Sequence, residues 1–379
     1  MSTMYSKPLT VVQILPALQS GGVERGTLEV GKYLVGLGHR SIVISAGGRM
    51  VPQLLAEGSE HVTMSIGRKS LLTLALIPKL IRTLREQHVD IVHVRSRFPA
   101  WIVKLALKCM ATSQRPKWIT TVHGQYSVNA YSRIMTEGDE VIVISNTIQA
   151  YVCANYPVDV AKLHLNYRGV DPVQFPYRYQ PSTTWLDAWY AQFPETKGKF
   201  IITLPARVTR WKGQEDLCQI LAELKQAIPN IHGLLVGEVK SDKVDFFNEL
   251  KDKVRTLGIA QHITFTGHRS DLRDIMAISN VVLSLSHAPE AFGRVTLEAL
   301  SMGVPVLAYA HGGVDEQLAV VFPQGRVQPK NYLEASRRLL AWFASPPIVE
   351  PTTHFSLNAM LENTLTVYQT ALAKKNVRA

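Results

Sequence analysis

The chain has 379 residues, 46% of them hydrophobic and 19% charged, too long for one ordinary core and too apolar for a disordered chain. Its formal charge of +11 is lopsided: residues 1–178 hold 20 Lys and Arg against 11 Asp and Glu, and residues 68–117 alone hold 11 against 2. Three widely spaced cysteines, Cys109, Cys153 and Cys218, argue against a disulfide framework or a zinc site and fit a reducing cytoplasm.

Thr10–Leu15 reads as a first strand. It is too short for a secretory leader, and no later run reaches the roughly 18 apolar residues of a spanning helix. A cytoplasmic protein, not integral to a membrane, is expected. Gly21–Leu37 reads as a helix entered through the adjacent glycines Gly21 and Gly22. Such a pair lets backbone approach a ligand and bares helical N–H groups to an anion, although a tight turn explains it as well. It is not the dinucleotide fingerprint.

Strands follow at Ser41–Ser45, Ile91–Val94 and Trp118–Val122, with helices at Leu71–Gln87 and Pro99–Lys108 between them. His123 stands at the carboxyl end of the third, where α/β domains present functional groups. It can supply a hydrogen bond or an acid/base group; an exposed loop histidine is the alternative. Across 68–117 the basic residues interleave with leucines, Phe98 and Trp101, a composition suited to an anionic membrane surface. A solvated basic face is the alternative, and no recognised nucleic-acid motif accompanies the charge.

Strand Glu140–Ile144 and helix Asn146–Cys153 complete the first series. Residues 177–199, rich in Pro and aromatic residues with a short helix near Thr184–Gln192, break the alternation and mark a boundary between domains 1–180 and 195–350. A second βα series runs from Phe200–Leu204 to Pro305–Tyr309. The final helix, within 355–379, has no strand after it and is expected to pack back on the first domain. The alternation predicts an α/β protein with two Rossmann-like domains, mainly parallel sheets and a central cleft.

Arg207 and Lys212 lie in the loop after the first strand of the second series, before a helix opening at Gly213. An Arg fork and a compact Lys charge suit a diphosphate, above all a departing one. Gly237 and Gly267 read as strand-end turns along the same edge. The segment 289–306 carries the most information: loop Glu290, the Phe292-Gly293 pair, and Glu298 within two turns of the start of helix Arg294–Ser301. Carboxylates accept from sugar hydroxyls while free N–H groups at a helix start face phosphate.

The pattern resembles glycosyltransferase family 4, the retaining enzymes of GT-B fold. The resemblance is carried by Gly21-Gly22-Val23-Glu24-Arg25, Thr121-Val122-His123-Gly124, Val143-Ile144-Ser145, Arg168-Gly169-Val170-Asp171, Arg207 with Lys212-Gly213, Gly267, Glu290 to Gly303, and His311-Gly312-Gly313 with Glu316. It implies that Arg207 and Lys212 hold the donor diphosphate, that Glu298 accepts from the ribose, and that Glu290 contacts the transferred sugar. Backbone N–H groups of Phe292, Gly293 and Arg294 would lie nearby, with Val295 also in the donor site. Gly22 would face the donor phosphate and His123 the reacting sugar. The chain departs from the family at Ala206, often Gly, and at Arg168, often Asn.

The implied reaction moves a sugar from a UDP- or GDP-sugar to a hydroxyl acceptor without a metal or other cofactor. A lipopolysaccharide core or other lipid-linked glycan is the expected acceptor, at the inner face of the cytoplasmic membrane. The rivals are a nucleotide-sugar epimerase of similar fold and a non-catalytic nucleotide-sugar-binding protein.

Overall fold

The computed structural model describes residues 7–376. They form two compact units: the residues up to Tyr167 together with those from Asn358, and Arg168–Leu357.

The first unit is built on a seven-stranded parallel sheet of β1 (Thr10–Ile14), β2 (Arg40–Ser45), β3 (Glu60–Thr63), β4 (Ile91–Val94), β5 (Lys117–Val122), β6 (Glu140–Val143) and β7 (Leu163–Leu165). Their order is β3-β2-β1-β4-β5-β6-β7. The central strands are near-continuous apolar runs because helices cover both faces. Their few polar residues are bonded: His93 on β4 lies 2.7 Å from the Tyr368 hydroxyl and 2.6 Å from Thr121 Oγ1. Tyr368 belongs to the last helix, Leu357–Asn376, which also meets Asn166 through the Met360 carbonyl and Thr364.

The second unit repeats the doubly wound plan. Strands β8 (Phe200–Pro205), β9 (Ile231–Val236), β10 (Ile263–Gly267), β11 (Val281–Ser284), β12 (Val306–Tyr309) and β13 (Arg326–Val327) lie in the order β10-β9-β8-β11-β12-β13. Winding reverses between β1 and β4 in one sheet and between β8 and β11 in the other. Ligands of such sheets bind outside the carboxyl ends at the reversal.

The boundary differs from the one expected at 177–199, since the chain from Arg168 onward already belongs to the second unit. Val170 bridges Ser356 in parallel, and Trp189 is buried with Ile201, Leu234 and Ile275. The Pro- and aromatic-rich stretch therefore packs on the second unit through Trp189 and its neighbours. Its indoles are satisfied by Thr196 at 2.9 Å and Asp271 at 2.8 Å.

Candidate active site

Two loops leave the carboxyl ends of β8 and β11, the pair of strands at which the second sheet reverses. The first carries Lys212 and ends at Gly213, whose φ of 77° starts helix Gln214–Leu224. A Cβ there would lie 2.2 Å from the Leu285 carbonyl oxygen, so glycine is what lets this loop pass beneath the end of β11. The second carries Ser286, His287 and Glu290. His287 N–H donates to the Trp211 carbonyl at 2.7 Å, joining the loops next to Lys212.

Lys212 Nζ lies 2.8 Å from Glu290 Oε1, and Ser286 Oγ donates to the same carboxylate oxygen. Beside this pair, helix Arg294–Ser301 begins at Gly293 without a side-chain cap. A cavity of about 90 Å³ is lined by Ala206, Lys212, Ser286, Glu290, Gly293 and Thr296, among others. A lysine and an uncapped helix start thus meet in one hollow, an arrangement that attracts phosphate, with a carboxylate at hand for hydroxyls.

The Glu290 loop is clasped from behind by residues that carried no assigned role in the sequence. Gly313 N–H donates to the Glu290 carbonyl at 2.8 Å, His311 Nε2 lies 2.7 Å from the Ser286 carbonyl, and Gln317 donates to the Phe292 carbonyl. The Lys212 loop has its own support in Asp216, which lies 2.7 Å from His287 Nε2 and accepts from the Tyr309 hydroxyl. Burial, with Asp216 second, raises the Tyr309 pKa above its ordinary value. Ser286 has a signal in sequence, its place just beyond a strand four residues before Glu290. Asp216, His287 and Tyr309 are brought together only by the fold.

The other expected residues are placed as follows. Arg207 is exposed, does not line the cavity and forms no ion pair among the described residues; its carbonyl accepts from Gln214 at 2.9 Å. Glu298 is 4% exposed, 3.7 Å from Arg294 Nε, and does not line the cavity, whereas Arg294 and Val295 do. Phe292 is buried against Phe355 at 6.0 Å, so its backbone rather than its ring is available to the site. Gly237 answers a packing need, because a Cβ would sit 2.0 Å from the Ala206 carbonyl oxygen.

In the first unit, Gly21 and Gly22 are exposed at the start of helix Gly22–Gly36, and Gly21 has a φ of 135°. The Glu24 carboxylate folds back toward Gly21, 2.8 Å from where a Gly21 Cβ would be. His123 lies half-buried after β5, its N–H donating to the Tyr126 hydroxyl at 3.2 Å. The basic stretch 68–117 is not one uniform face. Lys104 pairs with Glu137 and Arg82 with Glu86, while Lys108, Arg115 and Lys117 line a cavity of about 660 Å³ at the opposite end of β5 from His123. No helix among the described residues is long and apolar enough to cross a membrane.

Two doubly wound parallel sheets, with Lys212, Glu290 and a bare helix start at the reversal of the second, make an α/β protein of Rossmann-like units. Residues 20–174 match the model of Glycosyltransferase Family 4 and residues 187–359 that of Glycosyl transferases group 1. A glycosyltransferase from Rickettsia africae superposes with a TM-score of 0.84 at 31% identity, over 96% of this chain and 99% of that one. Anabaena HepE in complex with UDP and glucose superposes with a TM-score of 0.75 at 20% identity, over 98% of both chains. Spore coat protein SA of Bacillus subtilis is 25% identical over 314 residues, 76% of this chain and 80% of that protein. The chain belongs to the group 1, family 4 glycosyltransferases and has their GT-B fold. It is a glycosyltransferase enzyme, as the motifs lead one to expect.

Proposed function

We propose that the protein is a retaining glycosyltransferase that moves a sugar from a nucleoside diphosphate to a hydroxyl of a cell-envelope glycan, lipopolysaccharide being the favoured case. The reading rests on one observation: Lys212, Glu290 and the uncapped start of helix Arg294–Ser301 surround the same cavity. Lys212 and the helix N–H groups take the diphosphate, and Glu290 accepts from the sugar hydroxyls. The family resemblance alone assigns Arg207 to the diphosphate, Glu298 to the ribose, Gly22 to the donor phosphate and His123 to the sugar.

The bond from anomeric carbon to diphosphate oxygen breaks, and the acceptor oxygen bonds to the same face of that carbon. The acceptor proton passes to the departing diphosphate, whose negative charge Lys212 and the helix start stabilise. No protein nucleophile is needed, and the carboxylates bind rather than attack, unlike those of a retaining glycosidase. No metal is required in this scheme. The exposed Leu72 and Leu74, 84% and 41% accessible, together with the basic residues around them favour peripheral contact with an anionic membrane on the cytoplasmic side.

The test is a thermal-shift panel of UDP- and GDP-sugars on wild type and Lys212→Ala, beginning with UDP-glucose because HepE holds UDP and glucose. A donor that stabilises the wild type and not the variant, and that yields free nucleotide plus a glycosylated acceptor, supports the reading. A panel in which no nucleotide-sugar shifts the wild type removes it.

A further inference from the structure

A second cluster, which the donor chemistry does not use, lies beside His123 in the first unit. Arg97 opens helix Arg97–Lys108 after β4, and its guanidinium carbon lies 4.8 Å from the Tyr126 ring centre and 5.4 Å from that of Tyr131. Lys69 Nζ lies 5.5 Å from the Tyr131 ring centre. The Tyr126 hydroxyl accepts from the His123 backbone, and the Tyr126 carbonyl accepts from the Tyr151 and Tyr156 hydroxyls, so the loop bearing Tyr126 is tied at several points.

The cations of this unit are met in several ways: Arg95 bonds Gln13, and Lys104 lies over the Trp101 ring as well as against Glu137. Arg40, Arg82 and Lys104 each meet a carboxylate. Arg97 and Lys69 have no acidic partner among the described residues; they meet tyrosine faces, and Arg97 Nη1 donates to Ser132 Oγ at 3.1 Å. Stacking on a ring is a weak attraction that leaves the cation's charge in place. Ser132 takes one guanidinium N–H of Arg97, and no carboxylate of the described residues takes the others, which leaves donors for a carboxylate or phosphate of a ligand. Two uncompensated cations and two aromatic rings at the carboxyl edge of a parallel sheet suit a ring-shaped anionic ligand.

We propose that Lys69, Arg97, Tyr126 and Tyr131 form an acceptor subsite selecting a sugar that bears a carboxylate or phosphate group. The assignment rests on the transfer reading above. The two cations hold the charged group, the tyrosines that carry them border the sugar ring, and His123 stands in the same loop as Tyr126.

The experiment is saturation-transfer NMR on the full chain with methyl glucoside, methyl glucuronide and glucose 6-phosphate, with a UDP thermal shift on the same samples. Wild type is expected to bind the two charged sugars about tenfold more tightly than the neutral one. Arg97→Gln and Lys69→Gln each reduce that preference, the double variant abolishes it, and Arg97→Lys retains part of it. Tyr131→Ala weakens binding of all three sugars alike. Equal binding of the three by wild type overturns the subsite, as does a preference that survives in the double variant. The UDP arm separates the two readings. A charge preference without a UDP shift leaves the subsite standing and the donor site lost, and a UDP shift without the preference does the reverse.

Discussion

Lys212 Nζ and Glu290 Oε1 are 2.8 Å apart, and the two side chains are only 14% and 21% exposed. The group proposed to hold the donor diphosphate is thus held by the carboxylate proposed to hold the sugar. A half-buried ion pair restrains both side chains and keeps each charge compensated. A diphosphate that captures Lys212 would release Glu290 for the sugar hydroxyls, coupling the two halves of donor recognition.

This coupling makes the two variants differ. Lys212→Ala should weaken UDP binding about 10- to 100-fold, the value of a charge-assisted hydrogen bond. Glu290→Ala frees Lys212, so UDP should bind as well as before or better, while sugar transfer falls about 100-fold. Calorimetry with UDP and a transfer assay read the two quantities. Equal loss of UDP affinity in both variants would show that the carboxylate supports phosphate binding directly, contrary to this division of labour.

Gly293 sets where the helix starts that faces the cavity. Its φ is 86°, and a Cβ would lie 2.3 Å from Val314 Cγ2. Gly293→Ala therefore combines a left-handed backbone with a steric clash, and should cost about 2–4 kcal/mol in the unfolding transition of the second unit. Adding Val314→Ala removes the clash but not the backbone strain, so the double variant should recover only part of the loss. Chemical denaturation measures both; a silent single variant would mean the helix start is not fixed as described.

Most of the βα framework was legible because buried parallel strands are short apolar runs and their helices are amphipathic. Ile91–Val94 and Arg294–Ser301 have the expected bounds. The short strands β3, β7 and β13 were not foreseen, since lying at or near a sheet edge they need little continuous apolar sequence. The helix expected over 71–87 is instead a 3-10 turn over Leu71–Leu76 followed by an α-helix from Ile77, because Pro78 fits a first helical turn and not an interior. At the site, the Lys212 and Glu290 loops were legible from local motifs. The Asp216–His287–Tyr309 contacts span 71 and 93 residues and leave no local spacing to read.

His232 on β9 gives the second unit a defined acid sensitivity. It is 1% exposed, its Nε2 lies 2.8 Å from Thr264 Oγ1, and burial lowers its pKa to about 4. The unfolded chain takes up this proton near pH 6.5. The neutral imidazole's contribution to stability is therefore complete above about pH 6.5 and is lost as pH falls toward 4. The loss should approach roughly 3 kcal/mol, given about 1.4 kcal/mol for each pKa unit. Melting temperature against pH, compared between wild type and His232→Asn, reads this directly. Parallel curves for the two proteins between pH 6.5 and 4 would refute it.

Glu24 lies against Gly21 at the start of helix Gly22–Gly36. Its carboxylate covers Gly21, and burial, opposed by its own backbone N–H, raises its pKa above the ordinary carboxyl value. A raised folded-state pKa means that the fold favours the protonated group. That gain is present below the unfolded pKa and disappears as pH rises through the folded one, leaving the ionised side chain disfavoured at neutral pH. Glu24→Gln should accordingly raise the melting temperature at pH 7.5, with the difference closing near pH 4. If Gly22 also faces the donor phosphate, removing this competing negative charge from the helix start should tighten UDP-sugar binding at pH 7.5 by a few-fold. A Glu24→Gln protein that is more stable yet binds the nucleotide-sugar no better would confine the role of Glu24 to the fold and take Gly22 out of the donor site.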